Sequence, residues 1–140
     1  MAANTSQIFS KVADVQWVAL PASTANTTMD GTGGTLYLVF TADATNGGRI
    51  ERVNAMHLGT NVAGMIRFWV NNGSTVGTAT NNTLIEELAM PANTVSQTAI
   101  AAPQVLIRVP IILPPGYKLY ATPSTSVASG YQVTAFGGKY

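Results

Sequence analysis

Met65-Ile66-Arg67-Phe68-Trp69-Val70-Asn71-Asn72-Gly73 decides the fold class of this chain. Side chains alternate sides along a strand, so Ile66, Phe68 and Val70 share one face and Met65, Arg67 and Trp69 the other. Asn71-Asn72-Gly73 follows with residues that tolerate positive φ, which ends the strand in a turn. A helix would need apolar residues three and four apart, and that spacing is missing throughout the chain.

Outward from this stretch the same grammar recurs: a short β-branched or aromatic run, a cluster of Gly, Asn, Pro or Thr, then another run. It predicts eight strands, near 13–20, 35–42, 49–58, 65–71, 83–90, 104–112, 117–123 and 130–136. Leu36, Leu38 and Phe40 are expected to share a face, as are Val105, Ile107, Val109 and Ile111, and Tyr131, Val133 and Ala135. Ile50 is out of phase with Val53 and Ala55, which predicts a bulge near Arg52. Trp17, between Val15 and Val18, is expected in the core. Asn46-Gly47-Gly48 and Pro114-Pro115-Gly116 carry turn chemistry. Longer connections at 21–34 and 91–103 fit Greek-key wiring between two sheets. The expected architecture is all-β: one domain over 1–140, a two-sheet antiparallel sandwich of the jelly-roll kind, with an immunoglobulin-like sandwich as the alternative.

The first twelve residues are polar except Ile8 and Phe9, which suits either an arm that docks on a neighbour or an initial edge strand. At the other end Gly137-Gly138-Lys139-Tyr140 closes on an aromatic, which predicts a docked tail. An outward Trp69 beside Arg67 would either anchor a protein interface or pack, in the second half of a sandwich or under the 91–103 loop. Ile8, Phe9, Arg67, Trp69 and Tyr140 are therefore the candidate interface residues.

Chemistry is harder to find. His57 stands alone and is expected to be a hydrogen-bonded, partly buried residue on the face of Val53 and Ala55, not a base or ligand. Glu86 and Glu87 are adjacent, so on a regular strand they point apart and cannot form a catalytic carboxylate pair; one is expected to pair with an arginine. Asp14, Asp30 and Asp43 lie in or beside loops without a calcium-loop pattern. Asp30-Gly31-Thr32-Gly33-Gly34 resembles a phosphate loop, but a strand follows where a helix N-terminus would be needed. There is no cysteine, hence no disulfide and no thiolate metal site. These readings predict no catalytic, metal or cofactor site. The seven Lys and Arg residues are scattered, which argues against nucleic acid as a partner, and no apolar run approaches the ~18 residues of a membrane span. Met1–Gln7 lacks the basic and apolar regions of a signal peptide, which predicts synthesis and retention in the cytosol.

Only 9% of residues are charged, against a norm of about 25%. A surface so poor in charge is expected to be covered in a larger assembly.

Gly48-Arg49-Ile50-Glu51-Arg52-Val53, then Leu58-Gly59-Thr60-Asn61-Val62-Ala63, then Arg67 to Gly73, resembles a family of small tailed-bacteriophage proteins. The likeness continues through Asn81-Asn82-Thr83-Leu84-Ile85, Leu113-Pro114-Pro115-Gly116-Tyr117-Lys118-Leu119 and the Gly-Gly-x-Tyr end. These motifs are turns and strand edges, not active-site signatures. The resemblance implies a virion structural protein, a capsid decoration or cement protein of jelly-roll type. It also implies assembly in the host cytoplasm, with the major capsid protein and further copies of itself, as a homotrimer, for partners. The alternative is a tail or fibre module that binds host glycans through an aromatic platform at Trp69 or Tyr37.

Overall fold

The computed structural model describes residues 10–140 apart from 23, 102, 107 and 108. Ile8 and Phe9 therefore lie outside the described residues. So do most of the expected N-terminal arm and Ile107.

Among the described residues nine strands form, in this order: β1 (Val12–Leu20), β2 (Tyr37–Thr41), β3 (Gly48–His57), β4 (Gly64–Asn71), β5 (Asn82–Met90), β6 (Gln104–Val105), β7 (Ile111–Leu113), β8 (Lys118–Pro123) and β9 (Tyr131–Lys139). One antiparallel sheet runs β1-β9-β3, with β6 and β7 both paired to the far edge of β3. The other runs β2-β8-β4-β5. Apart from the short β6, the chain changes sheet at every connection except the β4–β5 hairpin. The resulting order, 1-9-3-7 facing 2-8-4-5, is the double Greek key of a jelly roll and not the immunoglobulin order.

The core lies between the sheets. Phe40, Ile50, Val53, Ala55, Ile66, Phe68, Leu119, Ala121, Tyr131, Val133 and Ala135 are each 0% exposed. Burying a large apolar side chain of this kind contributes about 1.5–3 kcal/mol, and this layer holds the sandwich together. Ile66 and Phe68 face inward with Val70 packed beside them, as alternation requires. The bulge in β3 falls between Ile50 and Arg52, where the pairing with β9 shifts register. It is what lets Ile50 and Val53 both point inward.

Four expectations need correction. Leu38 is exposed while Val39 and Phe40 are both buried, because β2 also shifts register between Leu38 and Phe40. The strand expected over 104–112 is two short ones, β6 and β7. Pro103 and Pro110 carry no N–H for a ladder; Gln104 and Val105 pair with Ala55 and Asn54, and β7 starts only after Pro110. Leu106 and Leu113 fill the core there, Val105 is exposed, and Ile111 is half-buried. Trp17 is not core but 68% exposed. On β1 the inward positions are Gln16, Val18 and Leu20: the Gln16 amide bonds both the N–H and the carbonyl of Thr41 on the opposite sheet. Trp17 alternates outward. Trp69, finally, is covered by a different loop from the one expected.

That loop is 24–36, and it lies over the outer face of the four-stranded sheet. The Trp69 indole Nε1 donates to the Met29 carbonyl at 2.9 Å, and the Arg67 guanidinium donates to the Asn26 carbonyl at 3.0 Å. Asn26 is itself fully buried, and its side chain ties the loop together through Gly31 and Thr28. The outer face of this sheet is thus covered along β4, where Arg67 and Trp69 are buried, while Leu38 on β2 and Ala89 on β5 stay exposed. The five-stranded sheet has no such cover among the described residues.

Candidate functional site

The uncovered face belongs to β1, β9, β3 and the edge beyond β3. Directly paired residues of an antiparallel sheet point the same way. The register therefore lays out rows: Val15, Phe136 and Arg52; then Trp17, Thr134, Asn54 and Val105; then Ala19, Gln132 and Met56. Opposite Arg49 on β7 stands Ile112. Trp17, Ile112, Val15, Met56 and Val105 are all exposed large apolar side chains.

Charge on this face is already engaged. The Arg52 guanidinium lies 4.6 Å from the centre of the Phe136 ring, a cation–π stack that covers the ring. Arg49 pairs with Glu51. What remains open is a flat, mostly uncharged surface with a tryptophan standing out of it. Four strands about 4.8 Å apart and nine residues rising about 3.3 Å each make a plane of roughly 15 by 30 Å. That is ~450 Å², below the ~800 Å² per partner of a standard protein interface.

Two grooves flank the sandwich. Val15, Trp17 and Leu38 line one of about 320 Å³ where β1 and β2 meet at one open edge. Leu84, Ile85, Pro110, Ile111 and Ile112 line another of about 480 Å³ where β5 and β7 meet at the other. Neither lining contains a charged residue. The apolar face therefore continues round both edges.

The candidates named from the sequence fall elsewhere. Trp69 is 0% and Arg67 9% exposed, so both are spent on the protein's own loop and offer a partner nothing in this arrangement. Arg67 Nε also pairs with Glu87 at 2.7 Å, the arginine partner expected for one of the two glutamates. Tyr140 is half-buried, its N–H donating to the Gly47 carbonyl at 3.3 Å, so the tail is docked. Tyr37 is half-buried against the core and forms no platform.

The groups considered for chemistry are occupied locally. Asp30 Oδ1 accepts from the Thr32 N–H and hydroxyl, and Asp43 Oδ1 from the Thr45 and Asn46 N–H groups. Those backbone hydrogen bonds hold both carboxyls below the ordinary carboxylate value, with Thr32 the main cause for Asp30 and Asn46 for Asp43. His57 sits edge-on to Tyr131 with ring centres 5.2 Å apart, and burial pulls its imidazole below the ordinary value. Among the described residues no three His, Cys, Asp or Glu side chains converge on a point that could hold a metal ion.

The sequence carried a signal for the open face that alternation alone did not decode. Period two groups Val15 with Trp17, and Asp14 with Gln16, without saying which pair faces in. The apolar pair would ordinarily be assigned inside. Here Gln16 is inside because it hydrogen-bonds the edge of the other sheet, and the tryptophan is left out. No protein-family model matches this sequence, and no curated protein matches it. Fold and surface together describe a jelly-roll sandwich with one sheet clad along β4 and one bare, weakly charged sheet.

Proposed function

We propose that this protein is a structural component of a bacteriophage virion, a decoration or cement protein that binds the outside of the capsid and stabilises it. The observation that carries the reading is the bare outer face of the five-stranded sheet, with Trp17 at 68% exposure and few charges, Arg52 stacked on Phe136 and Arg49 paired with Glu51. Free proteins seldom leave several large apolar side chains such as Val15, Trp17, Met56, Val105 and Ile112 together in water, and such a patch marks a place where another surface sits. The likeness of the Gly48–Val53, Leu58–Ala63 and Leu113–Leu119 motifs to small tailed-phage proteins supplies the partner, the major capsid protein. The mechanism is passive. One face is smaller than a standard interface, so attachment gains its strength from several linked copies, for which a homotrimer is the proposed form.

The test is reconstitution on particles. Shells stripped of the protein are mixed with purified chain and imaged by cryo-electron microscopy. Stoichiometric density on the outer surface, lost with Trp17→Glu, is the expected result. A monomer that leaves stripped shells bare would sink the reading.

A second reading has one observation behind it. Trp17 shares its row with Thr134 and Asn54, a stacking ring beside groups able to bond sugar hydroxyls. A glycan-binding tail or fibre module would use this platform in place of the buried Trp69. A glycan array with no hits for the wild-type chain removes that alternative.

A further inference from the structure

At the end of the sandwich away from the tail, one buried side chain gathers three connections. Asn61 is 3% exposed. Its Oδ1 accepts from the Ser129 N–H at 2.7 Å, and its Nδ2 donates to the Gly130 carbonyl at 2.8 Å. These two bonds fix which end of the amide is oxygen. The same Nδ2 lies 3.3 Å from His57 Nδ1, so Nδ1 must be the acceptor and the neutral imidazole carries its proton on Nε2. Through its backbone Asn61 also exchanges two 2.9 Å hydrogen bonds with Asn93 in the 91–103 loop. Asn93 Nδ2 returns to the Gly59 carbonyl, and the Val95 N–H to the Thr60 hydroxyl.

We infer that His57 and Asn61 form an acid-sensitive latch, in which neutral His57 secures Asn61, Asn61 secures the 91–103 loop, and protonation of His57 releases that loop. A proton on Nδ1 would point an N–H at the N–H of Asn61 Nδ2. The amide cannot turn over to meet it, because its oxygen would then face the Gly130 carbonyl and its nitrogen the Ser129 N–H. One partner has to leave. Among the described residues no counter-charge is at hand to hold the imidazolium in place. Tyr131, on β9, is the titratable side chain facing His57, and the segments 58–63, 91–103 and 124–130 contain no Asp, Glu, Lys or Arg. The Pro91 carbonyl alone favours the proton, and burial outweighs it. Loss of the latch opens the cleft of about 220 Å³ that His57, Gly59, Asn93 and Ser96 line beneath the loop.

The experiment is an NMR pH titration of the whole chain from pH 8 to 4.5, following the His57 ring, the Asn61 side-chain amide and the Asn93 and Val95 N–H groups. The expected result is one shared midpoint, lying below 6.5. Exchange protection at Asn61 and Asn93, corrected for intrinsic pH dependence, is expected to drop at least tenfold through it while Val133 in the core keeps its protection. In His57→Gln the loop signals stay fixed over the same range. Loop signals that ignore the His57 titration in the wild-type chain overturn the latch, as does a glutamine variant whose loop loosens at the same midpoint. The wild-type comparison decides the matter alone if the variant fails to fold.

Discussion

Trp69 and Met29 are joined by a 2.9 Å hydrogen bond from indole to carbonyl across forty positions of sequence. The bond sits on what alternation marks as the outer face of β4. It makes that face a second interior, closed by the 24–36 loop. Trp69→Ala is expected to cost about 3–5 kcal/mol, the range for removing a large buried aromatic. Trp69→Phe keeps much of the packing but strands the Met29 carbonyl, for about 1–3 kcal/mol. Urea unfolding of the two variants measures both. A surface-like loss under 0.5 kcal/mol for Trp69→Ala would mean the loop does not seal this face.

Arg67 holds the same loop by charge-assisted hydrogen bonds. Its Nη1 reaches the Asn26 carbonyl and its Nε the Glu87 carboxylate. Glu87 is partly exposed, so solvent screens the pair and the bond to Asn26 carries most of the effect. Arg67→Ala is expected to destabilise by about 2 kcal/mol and Glu87→Gln by less than 1 kcal/mol. Equal losses in urea titrations would show that the ion pair, and not the loop bond, dominates.

Trp17 is the contrasting tryptophan. Replacing an exposed side chain on an open sheet face changes stability by about 0.5 kcal/mol or less. Trp17→Glu should therefore unfold with the wild-type protein, yet lose attachment to shells and self-association, measured by sedimentation with and without particles. A variant that binds normally would remove the five-stranded face from the proposed function.

The strands were legible because each is a short patterned run between turn residues. Gly47, Gly73 and Gly116 all adopt positive φ where the turn chemistry asked for it. The bulge at Ile50 was legible for the same reason: a phase slip in a period of two has few other causes. Which face is inside was harder to read. The sequence put Trp17 inside and Trp69 outside, and the reversal depends on long-range events: the Gln16 amide reaching Thr41, and the 24–36 loop folding back over β4. The 104–112 segment failed differently. Its apolar residues alternate well, but Pro110 within it and Pro103 just before it withhold N–H groups that a ladder needs. The open face was invisible as a unit because its rows come from β1, β9 and β3, strands joined only by the final topology.

Gly130 tests the packing at the latched end. It has φ +75°, and a Cβ there would run into the Leu20 carbonyl, which belongs to backbone and cannot swing away. Its own carbonyl accepts from both Leu58 and Asn61. Gly130→Ala is expected to cost at least ~2 kcal/mol, combining a strained φ with a backbone clash. A thermal midpoint unchanged from wild type would show that the 124–130 turn can shift without disturbing β1.

Stability should fall with acid in two steps. His57 titrates below 6.5 in the folded chain because burial disfavours its charged form. The unfolded chain then takes up that proton first, so stability is complete above 6.5 and declines as pH drops toward the folded value. Asp30 and Asp43 titrate below 3.8 when folded, because backbone N–H groups stabilise their carboxylates. For them too the unfolded chain protonates first, so their contribution is complete above 3.8 and is lost as pH falls further. Urea midpoints measured from pH 8 to 2.5 should show both declines. His57→Gln should flatten the upper one and leave the lower, while Asp43→Asn should shrink the lower one and leave the upper. An upper decline that survives His57→Gln would place its source in a group other than the imidazole.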